Sequence, residues 1–113
     1  MLISTMNDLP GYTIDRVIGE VNGLTVRSRH VGSQIGASFK ALGGGELKGL
    51  TKQLIVTRDE ALERLTENAI ALGANAVLAM RYDSNEIGGV WQEILAYGTA
   101  VVVSSTLAPP PQS

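Results

Sequence analysis

Cysteine is absent from the 113 residues. Disulfides and thiolate metal sites are therefore excluded, and compartment is not decided by that absence. Histidine occurs once, at His30, so no Ser-His-Asp constellation stands out. Aromatic residues are scarce, with one tryptophan, three tyrosines and one phenylalanine. The core must be built from Leu, Ile, Val and Ala. No apolar run approaches the roughly 20 residues that cross a bilayer. The N-terminus lacks a basic stretch followed by an apolar one, the mark of a signal peptide. A basic excess is also missing. The net charge of −2 argues against nucleic acid as a partner, because phosphate backbones select strongly positive surfaces. These absences predict a cytoplasmic protein with neither a membrane nor a nucleic-acid partner.

What is present is organised around Gly49–Tyr82. Leu50, Leu54, Ala61, Leu65, Ala69 and Leu72 recur at three- or four-residue steps and share one helical face. Lys48, Lys52, Glu60, Glu63, Arg64 and Glu67 fall mostly on the other. The spacing predicts a helix from about Glu46 to Leu72, ended by Gly73 in a left-handed cap. Thr57-Arg58-Asp59-Glu60 has the form of a capping box, so a bend or restart is expected there. Asn75–Tyr82 then reads as a short apolar strand.

Upstream, Met1–Met6 is a short extended candidate and Tyr12–Val21 a strand. Asn22-Gly23 is a hairpin signal, because both residues accept positive φ, with Leu24–Arg27 as the returning strand or its continuation past a bend. Val31, Ile35, Phe39 and Leu42 suit a short helix near Ser33–Leu42, followed by the glycine loop Gly43–Gly45. Downstream, Asp83–Gly89 reads as a polar loop. Val90–Val103 is the last strand, and both of its faces are apolar. A half-exposed antiparallel strand should alternate, so its second face needs a cover. A buried central strand is the plainer account; a neighbouring subunit is the preferred cover, since the chain has one long helix to offer. Small residues at Ala96, Gly98 and Ala100 are expected to let that helix approach. The domain is expected over residues 1–103, with a disordered proline-rich tail at 104–113.

The segments Gly11–Val26, Gly44-Gly45 ahead of a long helix, Ala71-Leu72-Gly73-Ala74-Asn75-Ala76-Val77 and Gly98-Thr99-Ala100-Val101 together resemble the YbjQ-like family of small bacterial proteins. That family is often labelled heavy-metal-binding, without an established activity. The resemblance covers nearly all of residues 1–103. It implies an α+β fold with a dodecin-like β-α-β-β core: an antiparallel sheet with one long helix packed across it. It also implies a ring-forming homo-oligomer, a pentamer. Where many members place a tyrosine and acidic residues at the start of the long helix, this chain has Leu50, Thr51 and Gln53.

Candidate chemistry is sparse. His30 is a possible ligand for a divalent metal ion, which ring symmetry would gather in five copies. The plainer reading is a solvated loop histidine beside Arg27 and Arg29. Asp83, Glu86 and Glu93 are carboxylates suited to a hard cation, although they match no EF-hand pattern. A solvated turn is the simpler account. Gly44 and Gly45 precede a helix start, where free N–H groups can hold an anion, and Arg27 could meet its charge. No Walker A or dinucleotide fingerprint accompanies them. Trp91 is expected at a subunit interface. The sequence thus predicts a non-enzymatic binding or structural module with any ligand at subunit interfaces. The alternative is a metal-binding protein using His30 with Asp83 and Glu86 in symmetric copies.

Overall fold

The computed structural model describes residues 1–28, 48–89 and 91–107. The helical segment expected near Ser33–Leu42, the Gly43–Gly45 loop and the end of the proline-rich tail lie outside the described residues. Four strands and one helix occur among them: β1 (Leu2–Ile3), β2 (Tyr12–Ser28), α1 (Lys48–Ala71), β3 (Ala76–Ile87) and β4 (Trp91–Ser105). The sheet order is β1-β3-β4-β2. β4 is antiparallel to both β3 and β2, while β1 runs parallel to β3. The sheet is therefore mixed rather than purely antiparallel. The N-terminal residues join it through Leu2 N–H to Asn75 O at 3.2 Å and Ser4 N–H to Val77 O at 2.9 Å.

The helix begins and ends close to the expected positions. It does not restart at Thr57: the Thr57 hydroxyl donates back to Gln53 O at 2.8 Å, which satisfies it within a continuous helix. Its C-terminus is a Schellman cap. Gly73 has φ +86, its N–H donates to Ile70 O at 2.9 Å, and Ala74 N–H donates to Ala69 O at 3.0 Å. Ala69 and Ala74 are both buried in the helix-side core, the apolar contact that accompanies this cap. The Ala71–Val77 motif is thus a complete helix exit. Asn75 finishes it by pairing its side chain with the backbone of Val103, donating and accepting at 2.8 Å each way.

Asn22-Gly23 does not form a hairpin. β2 runs through both residues without a break, each opposite a β4 residue. What Gly23 provides is space. A Cβ there would lie 2.2 Å from Ala61 O and 2.3 Å from Leu65 N, so the α1 backbone rests on the bare α-carbon. Gly98 serves β3 rather than the helix, since a Cβ there would meet Val77 Cγ1 at 2.7 Å and Leu78 O at 2.8 Å. Ala96 and Ala100 do lie in the helix-side core, with Val21, Ala61, Leu65, Val77 and Ile94.

The segment expected to be a loop at Asp83–Gly89 is mostly strand. β3 continues to Ile87 in register with β4, and Gly88 and Gly89 make the turn with φ +61 and +71. Polar composition misled here, because strand formation follows from backbone pairing with β4, which side-chain polarity does not report. β3 also carries an irregularity between Leu78 and Arg81, where Ala79 takes φ +53. Ala79 N–H donates to Met6 O at 2.8 Å and Met80 N–H to Ser4 O at 3.0 Å, so the N-terminal segment holds the bulge.

Candidate functional site

Cross-strand partners share a face of the sheet, so the registers sort every strand residue into a helix side and an outer side. Arg27 is on the helix side and is already engaged. Its Nη2 donates to Glu60 Oε2 on α1. The other Glu60 oxygen accepts from Arg64 Nη2 at 2.8 Å, and Arg64 Nη1 donates to Leu24 O at 2.5 Å. One carboxylate is thus shared by two guanidinium groups, tying α1 across β2. The Nε of Arg27 is buried without a hydrogen-bond partner among the described residues.

Asp83 and Glu86 stand three residues apart on one strand, which turns their side chains to opposite faces. Asp83 shares the outer face with Asn85, whose Nδ2 donates to it at 3.3 Å, and with Glu93. Glu86 sits on the helix side, in register with Gln92 and, one strand further, Arg27. Among the described residues no group of three or more His, Asp or Glu side chains gathers as a metal site. His30, Gly44 and Gly45 lie outside the described residues.

The arrangement that sequence reading missed involves Arg58 and Tyr82. The Arg58 guanidinium lies over the Tyr82 ring, 4.6 Å from its centroid, a cation–π contact. This stack divides two hollows between α1 and the sheet. One, of about 430 Å³, is lined by Thr5, Arg58, Met80, Arg81 and Tyr82. The narrower one, of about 280 Å³, is lined by Leu54, Arg58, Tyr82, Asp83, Ser84, Gln92 and Ile94. Residues this far apart in the chain show no local spacing signal; only the packing of α1 on β3 and β4 brings them together.

The outer side of the sheet carries a second feature. Tyr12, Ile14, Val17, Leu24, Val26, Ile87, Trp91 and Tyr97 all point there by register and are all exposed, Val17 at 63% and Trp91 at 47%. A small second core of Ala76, Leu78, Val101 and Val103, capped by Leu9, covers part of that face.

Comparison with known proteins places this geometry. The family model described as "Putative heavy-metal-binding", YbjQ_1, matches residues 1–104. A UPF0145 protein of Streptomyces coelicolor is 62% identical over 104 residues, covering 92% of this chain and 98% of its own length. This chain belongs to the UPF0145 family. The family reaches archaea: a UPF0145 protein of Sulfurisphaera tokodaii is 52% identical over 107 residues, covering 95% of this chain and 94% of its own. A solved structure from Pediococcus pentosaceus, described as a protein of unknown function in the DUF74 family, has a TM-score of 0.59 at 19% identity and covers 92% of this chain and 98% of its own. At that identity it supports the fold. No activity is indicated by the names of these relatives, and among the described residues no helix is long and apolar enough to cross a membrane. For a UPF0145 chain, chemistry must therefore be argued from side chains. Here they offer an ion-paired seam, a cation–aromatic cleft and an apolar outer face.

Proposed function

We propose that this UPF0145 chain is the subunit of a ring-shaped homo-oligomer, a non-enzymatic binding or structural module in which subunit interfaces can hold a ligand. The observation that carries this reading is the outer apolar stripe. Leu24 and Val26 are 42% and 46% exposed on the side of the sheet away from α1, beside Tyr97 and Trp91. Isolated exposed apolar residues are ordinary, whereas several gathered on one face mark an interaction surface, here interleaved with Asn22, Asp83 and Glu93. β2 adds a long edge: among the described residues its ladder partner is β4 alone, and an unpaired edge invites another chain. The mixed apolar and aromatic composition of the row suits an interface core. The ring of five rests on the family resemblance.

Native mass spectrometry of untagged protein, purified without chelator, tests this reading. A pentamer is expected. A monomer at micromolar concentration overturns it. The same spectrum tests the metal-binding alternative. Retained metal mass that disappears in His30→Ala supports it, and a bare chain mass counts against it.

A further inference from the structure

We propose that the cleft between α1 and the β3–β4 strands is a binding site for a small monocarboxylate with an apolar body. The cleft is built within one subunit, so the proposal stands apart from the assembly.

Three arginines of α1 and the sheet are already engaged. Arg27 and Arg64 share the Glu60 carboxylate. Arg81 donates to Thr5 O at 2.7 Å and to Met80 O at 2.9 Å. Arg58 lies on Tyr82, and no carboxylate or carbonyl among the described residues accepts from it. A guanidinium resting on an aromatic face keeps its N–H edge available. Its planar fork is pre-organised for two parallel bonds to a carboxylate.

The surroundings narrow the ligand. Ser84 Oγ and the Gln92 amide meet at the cleft, Gln92 Nε2 donating to Ser84 Oγ at 3.2 Å. The Ser84 hydroxyl can then donate onward to an acceptor in the cleft. Leu54 and Ile94 provide apolar wall. Asp83 contributes to the lining, but its register turns its side chain to the outer face with Leu95. One cation matches one negative charge; a dianionic phosphate ester is left half-compensated. A volume of about 280 Å³ lies at the lower edge of small-molecule sites, which begin near roughly 300 Å³, so the body must be small.

Benzoate is the probe, and benzamide is its neutral control of nearly equal shape. Saturation-transfer difference NMR on the full chain, titrated through the millimolar range, reads binding whatever the assembly state. Benzoate is expected to bind, benzamide to bind at least about tenfold more weakly, and added salt to weaken benzoate alone. Arg58→Gln is expected to lose about tenfold in benzoate affinity, and Arg58→Lys, which keeps the charge but not the fork, to lose part of it. Leu54→Trp, which fills the cleft without touching the charge, is expected to abolish binding. Three results overturn the proposal: equal binding of benzamide, unchanged benzoate binding by either folded Arg58→Gln or folded Leu54→Trp, or no transfer to benzoate. None of these outcomes depends on whether the protein is a pentamer.

Discussion

Gly23 of β2 lies directly beneath Ala61 of α1, so close that a methyl group on Gly23 would stand 2.2 Å from the Ala61 carbonyl oxygen. The obstruction is backbone, which cannot rotate aside as a side chain can. Gly23→Ala must therefore lift the helix from the sheet and loosen the Ala61–Leu65 contact beneath it. A destabilisation of about 3 kcal/mol is expected, at the upper end of overpacking costs. Urea unfolding followed by circular dichroism checks it, and a loss below about 0.5 kcal/mol contradicts the close approach.

Ala79 offers the opposite opportunity. It holds φ +53 inside β3, a conformation that costs an L-residue roughly 1–2 kcal/mol and glycine almost nothing. Glycine also loosens the unfolded chain by about 0.4–1 kcal/mol. Ala79→Gly is expected to raise stability by about 0.5–1 kcal/mol. A lowered melting temperature shows instead that the methyl packs usefully in the bulge.

Thr25 is 2% exposed, and its hydroxyl has no hydrogen-bond partner among the described residues. Valine has nearly the same shape without the unsatisfied group, whose burial costs about 1–3 kcal/mol. Thr25→Val is expected to stabilise by about 1 kcal/mol in chemical denaturation. A destabilised variant means that the hydroxyl is satisfied in solution.

The Asn75 side chain completes the ladder at Val103 with two bonds of 2.8 Å. Asn75→Asp keeps the acceptor and loses the donor, placing a carboxylate against the Val103 carbonyl. Asn75→Ala loses both bonds. Both variants are expected to lose about 1–3 kcal/mol, with Asp the worse at neutral pH and rising above Ala as it is protonated, because a carboxylic acid again donates and accepts. Thermal unfolding at two pH values checks the order.

Trp91, the single tryptophan, reports on the outer face because nearly half of it is exposed in the subunit. In a ring that covers this face its emission is expected to be blue-shifted, and to move to the red on dilution or in Leu24→Lys/Val26→Lys. Emission that stays red at every concentration contradicts burial of this face by a second copy.

Local periodicity determined α1 and its exit. Leucines and alanines at helical spacing, followed by glycine, leave few alternatives to a helix ending at a left-handed residue, and the cap bonds are where that reading puts them. The composition of β4, apolar on both faces, marked a strand in need of cover on two sides, and its place between β3 and β2 came from the fold. Other features were decided by the tertiary fold. Asn22-Gly23 carries a hairpin signature, yet the pairing of β2 with β4 continues on both sides of it, and the ladder outweighs a local turn preference. The same glycine was required because a helix passes over it, a fact held in Ala61 and Leu65 rather than in its neighbours. Asp83–Ile87 looks like a loop because side-chain polarity reports exposure, whereas strand formation here follows from backbone pairing with β4. The parallel β1 and the positive φ of Ala79 depend on each other through Met6 and Ser4, distant in sequence. Arg58 and Tyr82 show the same division: the chain supplied a guanidinium and a phenol with no spacing to connect them, and only the packing of helix on sheet made them the wall of a cleft.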